Sequence, residues 1–172
     1  MGTVFVDNLE PQSGTTLTLG ASGDAINLAS GATAGFGKIG QVVTNVYTTT
    51  GATTNSSSFT QIGPSLSITP TSTSSKILLF LNGGSLYTES DRNAQVTIYR
   101  GSTDLGNTQG FMNHFANASY LQGPISINFV DSPSTISATT YAMYVKTTTT
   151  ASNVSVQDSP TKTVLTAMEI LA

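Results

Sequence analysis

From residue 39 onward the sequence consists of short apolar or alternating runs separated by clusters of Thr, Ser, Gly and Pro. Alternation with a period of two places successive side chains on opposite faces of a strand, and the small polar clusters are typical of turns. The predicted strands are the runs 42–47, 66–69, 76–81, 96–99, 125–129, 141–145, 154–156 and 164–171. Short strands at this spacing predict an all-β, jelly-roll-like sandwich that occupies residues 39–172 as a C-terminal head domain.

Two of these runs need a further decision. The last run, 164–171, also fits a helical face, because its apolar residues recur at helical spacing. We predict a strand there, because the preceding strands offer a sheet to join and Thr163 and Thr166 favour extended backbone. The run Ile77–Leu81 is apolar at every position, so we expect a long loop or another subunit to cover its second face.

The N-terminal residues 1–12 begin like a strand and end in a turn bounded by Pro11. An exposed apolar strand invites pairing with another chain. One interpretation is a short extended anchor that docks on a virion protein, and the other is a strand packed under its own domain. The sequence leaves both open. The residues that would dock are Val4, Phe5, Val6 and Leu9.

Residues 13–38 contain a small internal repeat, in which LTLGASG is followed by INLASG. Each unit has two alternating apolar residues and then a small-residue turn, so it buries its apolar side only against neighbours. We interpret the segment as a short stalk that oligomerises, and a flexible Gly/Ser linker is the alternative. The predicted interface residues are Leu17, Leu19, Ile26 and Leu28.

Charge and residue usage exclude several classes of function. Charged residues make up 9% of the chain, the net charge is −3, and the six Lys and Arg residues are scattered. A nucleic-acid partner held by phosphate contacts needs clustered basic residues, so we expect none. The absence of Cys excludes disulfides, thiol catalysis and Cys-ligated metals. The longest apolar run is far shorter than a membrane span and the N-terminus lacks a signal-peptide pattern, so we expect neither membrane insertion nor a signal peptide.

No catalytic constellation stands out. The single histidine, His114, is flanked by aromatic residues, which favours a packed or surface-loop histidine over a catalytic base. Glu89 and Asp91 fall in the stretch 87–93, which we interpret as a polar hairpin loop and not as a pair of glycosidase carboxylates. We therefore expect no catalytic residues, no metal, no cofactor and no enzymatic activity.

Tyr and amide side chains in turn-rich stretches are the remaining candidates for ligand contact. They include Tyr87, Asn113 and Tyr120. Aromatic faces and amide groups suit a neutral sugar or a protein surface, and they suit plain solubility of a weakly charged protein equally well. Both interpretations stay open at the level of sequence.

Residues 6–24, VDNLEPQSGTTLTLGASGD, resemble the N-terminal stretch of tailed-phage virion structural proteins, chiefly tail fibres and related proteins of marine and cyanobacterial phages. Segments between residues 41 and 81 are similar to the β domain of the same proteins. The resemblance implies a homotrimer, an N-terminal segment that attaches to phage capsid or tail proteins, and a β-rich head. No catalytic residue carries over.

Tail fibres usually have a long shaft, whereas only a short stub separates the predicted anchor from the head here. The resemblance therefore favours a homotrimeric short fibre, head fibre or capsid decoration protein, assembled in the host cytoplasm and displayed on the virion surface. The alternative it leaves is a tail fibre or spike module that binds a glycan on the host surface.

Overall fold

The computed structural model describes residues 39–117, 119–148 and 153–171, and these ranges hold strands and turns without a helix. Eleven strands occur in them. They are β1 (Ile39–Tyr47), β2 (Ala52–Thr54), β3 (Thr60–Ile68), β4 (Lys76–Thr88), β5 (Arg92–Arg100), β6 (Thr103–Asp104), β7 (Met112–Ala116), β8 (Leu121–Asp131), β9 (Thr139–Thr147), β10 (Val154–Val156) and β11 (Thr163–Ile170). The predicted all-β fold is confirmed for this part of the chain.

The strands form two antiparallel sheets. In sheet I, the long strand β4 pairs with β8 along one side, and along its other side it pairs first with β11 and then with β10. Strand β1 lies outside β11, and β2 lies outside β10. Sheet II has the order β3-β9-β5, and β6 and β7 share the outer side of β5. Because successive strands repeatedly change sheet, the arrangement is jelly-roll-like.

The hydrophobic core lies between the two sheets, which makes the fold a sandwich. Alternate residues of the central strands point inward and are buried, as the period of two requires. From sheet I these include Ile77, Leu79, Leu81, Ile125, Ile127 and Leu165, and from sheet II Leu66, Ile68, Val96, Ile98, Met143 and Val145. Phe111 and Phe129, whose ring centroids are 4.9 Å apart, close the side of the core next to β8.

Two glycines let β4 continue beyond the predicted run 76–81. Gly83 and Gly84 have φ values of 87° and 70°, which L side chains rarely adopt. A bulge at this point interrupts the pairing with β8, and the Gly84 amide donates to the Lys162 carbonyl at 2.7 Å. The strand thus bends and changes partner from β11 to β10, and it extends to Thr88.

A buried carboxylate links the two sheets. Asp131, at the end of β8, accepts hydrogen bonds from Arg100 Nη1 at 2.8 and 2.9 Å and from the Tyr141 hydroxyl at 2.6 Å. Burial raises the pKa of Tyr141 above its ordinary range, and the hydrogen bond to Asp131 raises it further. The hydroxyl therefore stays protonated and serves as a permanent donor to the carboxylate.

A second buried carboxylate, Glu169 on β11, holds the turn before β4. Its Oε1 accepts from the backbone amide and the hydroxyl of Thr71, both at 2.7 Å, and its Oε2 accepts from Gln41 Nε2 at 2.8 Å. Burial alone would raise the pKa of this carboxyl, but the hydrogen bonds outweigh burial and hold it at about 2, below the ordinary 4.5. The ionised form is therefore the one the fold stabilises.

Replacing Glu169 by glutamine is expected to lower the free energy of unfolding by about 2 kcal/mol, because one oxygen that accepts hydrogen bonds becomes a donor. The pKa of Glu169 is depressed in the folded state, so its contribution is present above pH 4.5 and is lost as the pH falls towards 2. Urea unfolding at fixed protein concentration between pH 2 and 7 measures both effects. Glu89→Gln, in the connection between β4 and β5, is the matched control. Equal acid dependence in the Glu169→Gln and parent proteins would contradict this role.

All eight predicted strand runs coincide with observed strands, which are β1, β3, β4, β5, β8, β9, β10 and β11, and the predicted strand at 164–171 is confirmed as Thr163–Ile170. The prediction of a hairpin loop over residues 87–93 is wrong. Tyr87 lies inside β4, which ends at Thr88, and β5 begins at Arg92. The short connection between β4 and β5 crosses from sheet I to sheet II. Strands β2, β6 and β7 were not predicted, and β7 contains the run around His114.

Residues 1–12 and 13–38 lie outside the described residues. The predicted docking residues Val4, Phe5, Val6 and Leu9 therefore stay predictions, as do the predicted stalk residues Leu17, Leu19, Ile26 and Leu28. The domain boundary at residue 38 stays a prediction for the same reason.

Candidate functional site

The outer face of sheet II is covered by the chain itself around Thr97 of β5. Thr97 points away from the core, yet it is fully buried, because the connection from β6 to β7 folds over it. Its hydroxyl donates to Asp104 Oδ1 at 2.6 Å, and Lys146 Nζ donates to the Thr108 carbonyl of the same connection at 2.6 Å. This connection therefore shields the β5 part of the outer face from water, whereas Ser67 of β3 and Thr140 of β9 stay exposed.

An aromatic cluster completes this cover. The Tyr99 and Tyr144 rings stack with centroids 4.0 Å apart, and Phe59 meets Tyr99 edge-on at 6.2 Å. Lys146 Nζ lies 4.3 Å from the centre of the Phe59 ring, which is a cation–π distance. The aromatic rings and the ammonium group of this cluster therefore contact one another.

The outer face of sheet I is different, because apolar side chains remain partly exposed across it. The register aligns Val42 of β1, Met168 of β11, Leu78 of β4 and Val130 of β8 in one row. Val42 is 54% exposed and Val130 is 46% exposed. An apolar row that crosses four strands and meets water makes this face a candidate interaction surface.

Neighbouring rows extend this surface, which we call the sheet I outer face. One row contains Thr44, Thr166, Phe80 and Asn128, the next contains Val46, Val164, Asn82 and Ser126, and Ile39 and Ile170 lie beyond the first row with Lys76. Ile39 is 45% exposed and Val46 is 47% exposed. Lys76 is the single charged residue among these rows, so the surface is nearly free of charge.

β1 is an edge strand of sheet I, next to this surface. It pairs with β11 on one side, it contains neither a charged residue nor a proline, and its register shifts between Ile39 and Val42. Natural edge strands usually carry a Lys, a Pro or a bulge that prevents pairing with another chain. β3, the edge of sheet II, contains Pro64 and a register shift between Gln61 and Ser65. Both edges therefore carry an irregularity, and β3 adds a proline.

The structure brings two of the three predicted ligand-contact residues together. Tyr87 on β4 and Tyr120 before β8 stack with ring centroids 5.7 Å apart and planes at 30°. Asn113 is on β7 and lines a different cleft of 450 Å³, which residues 107–113 form. The prediction that Tyr87 and Asn113 lie in loops is wrong, because both are in strands.

His114 is half-buried on β7 and does not form part of a hydrogen-bonded relay among the described residues. Its Nδ1 is buried without a hydrogen-bond partner in the described ranges, and its Cε1 is in contact range of Gly123. Burial lowers the pKa of His114, so the ring favours the neutral form. This environment agrees with the packed histidine that the flanking aromatic residues predicted.

In the part of the chain that the structure describes, no group of three or more His, Cys, Asp or Glu residues is placed to hold a metal ion. Within the same residues, no helix is long and apolar enough to cross a membrane.

The sequence shows that Ile77–Leu81 is apolar on both faces, but it does not show which residues of neighbouring strands lie beside this run on the outer face. The missing information was the register, which aligns Val42, Met168 and Val130 with Leu78. A signal was present in β1, where Val42 and Val46 occupy one face while Val43 and Tyr47 pack against the core on the other.

Comparisons with known proteins add little to this geometry. No protein-family model matches the sequence, and no curated protein matches it. A solved structure of the infectious bursal disease virus Gt strain aligns with a TM-score of 0.37 and 13% identity, over 87% of this chain and 41% of that chain. The chain therefore spans less than half the length of that viral chain.

Proposed function

We propose that the chain is a non-enzymatic structural protein of a virion surface, which assembles as a homotrimer through the predicted stalk, residues 13–38, and through the sheet I outer face. The observation that carries the proposal is the apolar row Val42–Met168–Leu78–Val130, which meets water on an otherwise well-packed sandwich. The similarity of residues 6–24 to tailed-phage virion proteins supports the location on a phage particle. It also supports the choice of three copies.

A second copy of the chain is the occupant that best suits this face. The rows combine apolar side chains with Thr, Ser and Asn and carry one charged residue, Lys76, so a copy of the same chain offers matching chemistry. A net charge of −3 per copy gives little repulsion between copies. Around a threefold axis, each face would pack against its two neighbours and lose its contact with water.

The absence of enzymatic activity is part of the proposal. Two buried carboxylates, those of Asp131 and Glu169, are used to hold strands and turns together by hydrogen bonds. Their geometry leaves them as structural links and not as a pair that could flank a substrate. We expect the isolated protein to leave host envelope polysaccharide uncleaved.

Attachment to the particle is assigned to the N-terminal peptide. Deleting residues 2–12 is expected to abolish rebinding of the purified protein to stripped particles of the virus that encodes it. The trimer should persist, because the sheet I outer face is untouched. A pull-down of labelled protein with the particles measures rebinding, and sedimentation measures assembly in the same sample. Undiminished rebinding after the deletion would contradict the assignment.

A further inference from the structure

The Tyr87–Tyr120 pair occupies one end of sheet I, away from the apolar row. Tyr120 is 64% exposed, and its ring stacks on Tyr87 from one side. Tyr87 is paired in register with Gln122 on β8, so the two side chains point to the same side of the sheet, beyond the bulge and outside the rows of the sheet I outer face. This places an exposed aromatic ring, a supporting ring and an amide side by side.

Polar groups surround the amide. Gln122 Nε2 donates to Ser85 Oγ at 2.7 Å and approaches Ser159 Oγ at 3.2 Å and Asp158 Oδ2 at 3.4 Å. The Gln122 side chain is thus fixed by contacts from β4 and from the connection between β10 and β11. An exposed ring beside an anchored polar cluster presents one apolar surface and several hydrogen-bonding atoms that need little rearrangement to bind a ligand.

We propose that this Tyr120 platform, formed by Tyr87, Tyr120 and Gln122 with Ser159 and Asp158, binds a neutral pyranose sugar. The C–H face of a pyranose is apolar and flat, so it fits the exposed ring of Tyr120. Its hydroxyl groups donate and accept, which matches an amide, a hydroxyl and a carboxylate. The charged group of the platform is an acid, Asp158, so an acidic sugar would meet repulsion.

The platform goes beyond the structural role proposed above, because assembly uses other residues. Val42 and Val130 lie in the apolar row near the start of β4, whereas Tyr87 lies near its end. Sugar binding and trimer formation can therefore fail independently. A protein that assembles without binding sugar, or binds sugar as a monomer, separates the two proposals.

The test is an array of immobilised neutral oligosaccharides, built from glucose, mannose and galactose, with uronic-acid oligosaccharides beside them. The full chain is applied at matched trimer concentration, and affinities are then measured by titration in solution. The chain contains no Trp, so ligand-observed NMR replaces intrinsic Trp fluorescence. Binding to at least one neutral oligosaccharide and none to the uronic acids is the expected result.

Three variants locate the site. Tyr120→Ala should weaken binding at least about tenfold, because it removes the exposed ring, and Tyr120→Phe should stay within about threefold, because it keeps that ring. Ile136→Ala is the matched control, since Ile136 is 61% exposed and follows the opposite end of β8. Circular dichroism checks that each variant is folded.

Either of two results would overturn the proposal. One is no binding to any neutral oligosaccharide at millimolar concentration. The other is binding that Tyr120→Ala leaves unchanged, which would place the sugar elsewhere on the chain. Preference for the uronic acids would also count against it, because the platform carries a carboxylate and no cation among its contacts.

Discussion

Replacing Asp131 with alanine is expected to lower the free energy of unfolding by about 3 kcal/mol, one of the two largest effects predicted here. The carboxylate joins β8 of sheet I to Arg100 and Tyr141 of sheet II. Its loss leaves the fully buried Tyr141 hydroxyl unpaired and removes the partner of Arg100. The Arg100 side chain is 30% exposed, so water compensates it in part, and the effect falls at the lower end for a broken buried pair.

Tyr141→Phe separates the two contributions. It removes one hydrogen bond and keeps the ion pair, so we expect a loss of about 1 kcal/mol. In the Tyr141→Phe background, Asp131→Ala should lower the free energy of unfolding less than it does in the parent, because no buried hydroxyl is left unpaired at position 141. Guanidinium unfolding of all four proteins completes the cycle. Equal losses for Asp131→Ala and Tyr141→Phe would show that the ion pair contributes nothing.

Introducing a charge into the sheet I outer face is expected to raise the dissociation constant of the trimer at least about 100-fold. Val42→Lys and Val130→Lys each place an ammonium group where the proposed neighbour excludes water. Both positions are about half exposed in the single chain, so each variant should fold as the parent does. Sedimentation velocity over a range of concentrations measures the shift.

Ile136→Lys is the matched control for these variants. Ile136 is 61% exposed and apolar, but it lies in the connection between β8 and β9 and outside the aligned rows. It should leave assembly unchanged. If all three variants had the same dissociation constant, the sheet I outer face would not be the interface. If Val42→Lys and Val130→Lys failed to fold, these two residues would belong to the core of the single chain.

Local pattern predicts the core of this fold well. Alternation in β8 and the apolar run in β4 place strands where the structure has them, because alternate residues of a sandwich strand face the core. The same logic resolves 164–171 as a strand. Alternate residues Leu165, Ala167 and Glu169 of β11 are buried, which a helical face would not produce.

The failures follow from interactions that a local pattern does not contain. Gly83 and Gly84 have the composition of a turn, yet their positive φ values create a bulge inside a continuous strand. β7 has weak alternation and becomes a strand because its backbone pairs with β5. The connection at 89–91 has the composition of a hairpin loop, but it crosses between sheets.

The candidate surfaces depend on register even more strongly. The sequence predicts that Leu78 and Phe80 need cover, but pairing with β1, β11 and β8 is what creates an apolar row. Tyr87 and Tyr120 are far apart in sequence, and β4–β8 pairing brings their rings together. Since register is decided by long-range contacts, neither surface could have been delimited from the sequence.

The central claim is that copies of this chain bury the sheet I outer face against one another. The most direct measurement is the sedimentation mass of the full-length chain at micromolar concentration, in low and in high salt. Apolar burial predicts the mass of three chains in both buffers, because salt screens charges and this face has few. A folded species with the 17.8 kDa mass of one chain would contradict the account, and so would a trimer that dissociates as salt rises.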